Sequence, residues 1–90
     1  MLNNLTMLAF ENDWCAQCYT ERPIIQSVAK KYNNCLEVKV INIEDDSQLA
    51  VRYGVLAVPT IVILKNNEIV EKIPRFISQD QLENVIRYYL

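Results

Sequence analysis

No histidine occurs anywhere in the ninety residues. That one absence removes Cys-His nucleophiles, Ser-His-Asp triads and every histidine-based metal site. Charge is scarce as a pattern: nine Lys and Arg stand against eleven Asp and Glu, a formal balance of −2, scattered in twos and threes. With no basic run the chain carries no footprint for nucleic acid, and with no acidic tail it carries no sign of disorder. Long apolar runs are missing too, the longest uninterrupted ones being four or five residues, Ile61 to Leu64 among them. Spanning a bilayer takes about 20, so a membrane helix is excluded. The start, Met1-Leu2-Asn3-Asn4-Leu5, has neither a basic opening nor an apolar segment ending in small residues. No signal peptide is legible there, and the cytoplasm is the default location. Three cysteines are an odd count and too few for a disulfide scaffold.

What is present suffices for one small domain over residues 1–90, since 51% of the residues are hydrophobic and 22% charged. Leu5 to Phe10 is an apolar run of strand character, ended by the polar turn Glu11-Asn12-Asp13. After Cys18 the apolar residues Ile24, Ile25, Val28, Ala29 and Tyr32 recur with helical spacing, with Glu21, Arg22, Gln26, Lys30 and Lys31 on the other side. This helix is expected to end at Asn33-Asn34. Leu36 to Ile43 reads as a second strand. Asp45 or Asp46 can cap a short helix through Gln48, Leu49, Ala50 and Tyr53, which Gly54 closes. Thr60 to Lys65 and Glu68 to Ile73, joined by Asn66-Asn67, predict a hairpin with a tight primed turn. Ser78-x-x-Gln81 is a capping box ahead of a last helix with Leu82, Val85, Ile86 and Tyr89 on one face. The predicted order is β-α-β-α-β-β-α, an α/β chain with one sheet and helices on both faces.

The chemistry concentrates in Asp13-Trp14-Cys15-Ala16-Gln17-Cys18-Tyr19. A thiolate is the nucleophile in disulfide exchange, and a helix beginning at or just after Cys15 would offer that sulfur free backbone N–H groups and the positive end of the macrodipole. Cys18 lies on the same side of the first turn, within bonding reach. Trp14 can cover one side of the pair and offer apolar contact to a docked chain. A zinc site would need a second pair of soft ligands, and only Cys35 remains. A bare Cys-x-x-Cys on an inert helix is the other bland possibility.

Tyr53-Gly54-Val55-Leu56-Ala57-Val58-Pro59-Thr60 and Lys65-Asn66-Asn67-Glu68 supply the context. Together with Trp14-Cys15-x-x-Cys18, in that order and at that spacing, they make the chain resemble the thioredoxin family from about Met7 to Ile86. The resemblance implies a minimal thioredoxin-like fold with a mixed four-stranded sheet. It implies a thiol-disulfide oxidoreductase that reduces protein disulfides, with Cys15 attacking and Cys18 resolving. A redox-active Cys15-Cys18 disulfide replaces any cofactor, and no metal is expected. Val58-Pro59 would carry a cis peptide bond and, with Trp14, would bind an extended substrate; Pro23 matches a family proline that bends the helix. The implied partners are disulfide-bearing proteins and a flavin-dependent reductase, acting on a monomer.

The departures from the family are specific. Ala16-Gln17 stands for the usual Gly-Pro between the cysteines, and these residues tune the dithiol-disulfide balance. Ala9 replaces a buried aspartate that helps move protons at the resolving thiol, and Val40 replaces its nearby lysine. Proton transfer to Cys18 is then expected through water or a more distant carboxylate such as Glu11. Arg75, after Pro74, takes the place of a glycine facing the site, as an edge of the substrate groove or as a solvated cation. The family's extra N-terminal strand and helix are not expected here. Cys35 reads as a surface or half-buried bystander. The reading from another functional class is a thioredoxin-like partner-binding module with little redox turnover.

Overall fold

Strand β1, Leu5–Glu11, has to be apolar almost throughout because it lies in the middle of the sheet with both faces covered. A computed structural model describes residues 4–90, so the leader reading of Met1, Leu2 and Asn3 lies outside the described residues. After β1 come α1 (Ala16–Lys31), β2 (Leu36–Asn42), α2 (Ser47–Arg52), β3 (Thr60–Lys65), β4 (Glu68–Ile73) and α3 (Gln79–Tyr89). The expected element order is therefore observed. The sheet runs β2-β1-β3-β4, with β1 parallel to β2 and antiparallel to β3, and β4 antiparallel to β3. It is a mixed four-stranded sheet.

Alternation along the central strands divides the core in two. Leu5, Met7, Ala9, Ile61 and Ile63 point to one face, where Ile25 and Val28 of α1 and Leu82 and Ile86 of α3 cover them. Leu8, Phe10, Val62 and Leu64 point to the other face, against Ala50 of α2 and the partly buried Leu49, Tyr53 and Val55. Each face is sealed by helices.

The local signals act as elementary chemistry requires. Asp46 caps α2 by accepting the Leu49 N–H at 3.2 Å. At its other end Gly54 takes φ +67°, and the Gly54 and Val55 N–H groups donate to the Val51 and Ala50 carbonyls, a Schellman closure. Asn66 and Asn67 both have positive φ, 54° and 69°, as a primed hairpin turn demands. Ser78 accepts the Gln81 N–H at 3.3 Å, and among the described residues only this serine half of the capping box forms. One feature of the hairpin had no sequence signal: its register shifts between Ile63 and Leu64, which leaves Val70 as the extra residue of a bulge. Strand β2 stops at Asn42, not Ile43, because the Asn42 side chain and carbonyl accept the N–H groups of Glu44, Asp45 and Asp46.

Helices α1 and α3 are also clasped by polar groups. The carboxylate of Glu83, 6% exposed, accepts from Lys31 Nζ at 2.8 Å, Tyr32 Oη at 3.0 Å, Gln79 Nε2 at 2.9 Å and Arg87 Nη1 at 3.2 Å. The Lys31 ammonium, then Gln79 and Tyr32, hold this carboxyl down at about 2, from an ordinary 4.5. A folded-state pKa below the unfolded one means that the unfolded chain binds the proton more tightly. The stabilisation from the clasp is complete above about pH 4.5 and drains away between there and about pH 2. Melting temperatures of the wild type and Glu83→Gln should differ most at neutral pH and converge through that window. A gap that stays constant from pH 7 to about pH 2 would contradict the assignment.

Candidate active site

The register gathers three loops at one end of the sheet. Phe10 pairs with Thr60, and Ile61 pairs with both Ala9 and Ile73. The end of β1, the start of β3 and the end of β4 thus lie side by side. From that end emerge Asn12 to Cys15, the Tyr53 to Pro59 segment, and Pro74 to Ile77. The topology brings Trp14, Cys15, Val58, Pro59 and Arg75 to one edge.

The first loop is tied down by its own polar side chains. Asn12 Oδ1 accepts the Trp14 N–H at 2.8 Å, and Asp13 Oδ1 accepts from Asn42 Nδ2 at 3.1 Å at the end of β2. Cys15 then stands at the N-cap of α1 in extended conformation, and its Sγ accepts the Cys18 N–H at 3.0 Å. A sulfur in this place does what an aspartate or serine oxygen does at other caps. No acidic side chain occupies the first turn, so nothing there competes for the positive helix end. In the dithiol form the same N–H and the helix dipole favour the Cys15 thiolate.

Cys15 and Cys18 are joined in a disulfide, with Cα atoms 5.2 Å apart. The two sulfur-bearing residues are unequal: Cys15 is half-buried, and Cys18 is 2% exposed. Only the first offers an open approach. Ala16 and Gln17 between them are exposed, as is Trp14 at 89%. The Val58-Pro59 peptide bond is cis, with Val58 half-buried and Pro59 buried. Thr60 Oγ1 donates to the Ala57 carbonyl at 2.6 Å and closes that loop onto β3. Arg75 is exposed, and among the described residues its guanidinium reaches no nearer a partner than the Phe76 carbonyl at 3.5 Å. Cys35 is half-buried between α1 and β2, away from this edge, with its thiol near the Tyr32 carbonyl. Among the described residues no group of Cys, Asp and Glu is arranged to hold a metal ion.

Two residues at this end went unread in the sequence. Leu56 is 98% exposed in the loop before Pro59, an apolar side chain in water on the same edge as Trp14. Glu21 departs from the solvent side of α1 that its charge predicts, being 3% exposed. It stands in the stripe Cys18, Glu21, Ile25, Val28, all buried. The spacing carried the signal, and the charge of the side chain concealed it. Its Oε2 accepts the Ile77 N–H at 3.1 Å, linking α1 to the loop that holds Arg75. Burial pushes the Glu21 carboxyl above its ordinary value, with the Ile77 hydrogen bond opposing. Glu11, named as a carboxylate for proton transfer, is engaged with Arg22 Nε at 2.9 Å.

Comparison with known proteins agrees with the geometry. A family model, thioredoxin, matches residues 2–88. A thioredoxin of Porphyra purpurea is 29% identical over 98% of this chain and 83% of its own length. One from Buchnera aphidicola is 31% identical over 93% of this chain and 77% of its own. Among solved structures, a mutant thioredoxin from Halobacterium salinarum superposes with a TM-score of 0.90 at 30% identity, over 97% of this chain and 75% of that one. With the disulfide at the head of α1, the cis Val58-Pro59 bond at the same end of the sheet and nearly the whole chain matched, this protein belongs to the thioredoxin family and is a thiol-disulfide oxidoreductase.

Proposed function

We propose that the protein reduces disulfides in other proteins, with Cys15 as the attacking and Cys18 as the resolving thiol. The observation that carries this division of labour is the unequal access to the two sulfurs, Cys15 half-buried at a helix N-cap and Cys18 buried behind it. A substrate sulfur can approach Cys15 from solvent, whereas Cys18 is 2% exposed and closed to a partner of protein size. The Cys15 thiolate attacks a substrate disulfide and releases one substrate thiol; Cys18 then attacks Cys15 and frees the other.

Trp14, Val58, Pro59 and Arg75 form the edge on which an extended substrate lies, and the exposed Leu56 widens its apolar part. The Val58 backbone, without a backbone partner among the described residues, offers pairing to an added strand, and aromatic and aliphatic contacts do the rest. The disulfide is returned to the dithiol by a flavin-dependent thioredoxin reductase in the cytoplasm. Residues 1–90 act as one monomeric domain in this cycle. Among the described residues no helix is long and apolar enough to cross a membrane.

Ala16 and Gln17 set the balance between the two redox states. Equilibrating the Cys15-Cys18 pair in dithiothreitol and glutathione buffers measures it. A potential near about −270 mV agrees with a reductase, and one near about −120 mV overturns that direction in favour of an oxidant.

A further inference from the structure

The sheet end that carries the disulfide also borders a pocket of about 220 Å³, open to solvent on one side and roomy enough for several waters. Ala9 and Val40, paired across β1 and β2, line it with a methyl and an isopropyl group. Cys18 and Glu21, three residues apart on α1, line the same space. The remaining charged groups on it are Glu11 of β1 and Arg22 of α1. Strand β2 adds only Val40, and the loop after β4 meets Glu21 through the Ile77 N–H, with the Arg75 guanidinium exposed.

A buried thiol that must become a nucleophile needs a proton acceptor within its own compartment. Cys18, 2% exposed, is nearly closed to bulk water and opens on this cavity. Of the two carboxylates there, Glu11 is bound to Arg22, while Glu21 faces no cation at hydrogen-bond distance among the described residues and spends one oxygen on Ile77. The small Ala9 side chain lines the same pocket as the sulfur and the carboxylate, and leaves it wide enough for water. We infer that Glu21 is the proton acceptor of the resolving step, taking the Cys18 proton through the Ala9-lined cavity.

In the mixed disulfide, Cys15 Sγ is bonded to a substrate sulfur. Cys18 gives its proton, through cavity water, to the Glu21 carboxylate, and the resulting thiolate attacks Cys15 Sγ. The Cys15–Cys18 bond forms as the Cys15–substrate bond breaks, and the substrate sulfur leaves as a thiolate that takes a proton from bulk water. The enzyme's two thiols are oxidised by two electrons and the substrate disulfide is reduced by two; Glu21 then returns its proton to solvent. A carboxyl raised by burial is better matched to a thiol than one at its ordinary value.

The inference rests on Cys18 as the resolving thiol, and the test separates the two claims. In a Cys35→Ser background, the reduced protein is mixed with dithiobis(nitrobenzoate) in stopped flow. A first thionitrobenzoate leaves when Cys15 attacks and a second when Cys18 resolves. Glu21→Gln keeps an acceptor for the Ile77 N–H. It should leave the first phase unchanged and slow the second about tenfold between about pH 6 and 8, with the gap closing as pH approaches the intrinsic ionisation of a thiol near about 8.5. Glu11→Gln should leave both phases in place. A second phase of Glu21→Gln that follows the wild type at every pH overturns the role of Glu21, as does one slowed by the same factor at all pH values, the mark of a packing defect. A Cys15→Ser variant that keeps the fast first phase, with Cys18→Ser losing it, overturns instead the assignment of Cys18 as the resolving thiol.

Discussion

Cys15→Ser is expected to have no measurable activity in insulin reduction driven by dithiothreitol, a loss on the order of a thousandfold or more, because a serine hydroxyl does not ionise where a thiol does. The substitution suits this position structurally. Serine is a favoured N-cap, and its oxygen can accept the Cys18 N–H that Cys15 Sγ now accepts at 3.0 Å. Helix α1 keeps its start, so melting temperature should barely move while turnover disappears. Cys18→Ser makes the complementary case. Its Cys15 still attacks, the mixed disulfide is not resolved, and mass spectrometry should find one substrate chain held on Cys15. Retained turnover in Cys15→Ser, or an adduct on any other residue in Cys18→Ser, would falsify the division of roles. A partner-binding module with a dormant dithiol would instead show no wild-type activity to lose.

Ile63→Ala should destabilise the protein by about 3 kcal/mol, within the roughly 2–5 kcal/mol usual for an isoleucine emptied from a core. Ile63 is 0% exposed in the third strand, pairs with Met7 on one side and Glu71 on the other, and stands just before the bulge. Neither backbone neighbour can move in to fill the space, since the ladder holds both. For a domain of this size each kcal/mol lowers the melting temperature by about 4–8 °C, so a fall on the order of 10–25 °C is expected by circular dichroism. Against a total stability of roughly 5–15 kcal/mol, the loss is a large share. Ile69→Ala, at a residue 49% exposed on β4, should shift the transition far less. Equal shifts for the two variants would show that the core is not packed about Ile63 as described.

Much of this site was legible because its residues act locally. Asn66 and Asn67 announce a turn because few other residues accept positive φ, and Gly54 ends α2 for the same reason. Cys15 reads as a helix-start sulfur because the polar turn before it and the amphipathic run after it bracket the position. Glu21 was misplaced because a charged residue on an amphipathic pattern is assigned to water by default. The default fails when the opposite wall is hollow and a backbone N–H, here that of Ile77, supplies a partner from 56 positions away. Val70 shows the same limit in the sheet. Two strand-like runs and a turn predict a hairpin, but which residue bulges depends on how the paired strands twist against their neighbours.

The amino-acid sequence by itself determined the order of elements, the turn and cap positions, the identity of the two reactive thiols and the lack of histidine chemistry. The turns and caps follow from backbone preference and side-chain type within a few residues, whereas the reactive thiols were identified only together with the Val58-Pro59-Thr60 segment and its place in the chain. Only the tertiary structure decided which sulfur is open to a partner, that Val58-Pro59 and the Pro74 to Ile77 loop share an edge with the disulfide, and that Ala9, Val40, Cys18 and Glu21 line one pocket. Those facts depend on strand order and register, which bring together residues from five separate segments. A buried carboxylate beside a buried thiol is a property of that assembly and of no segment alone.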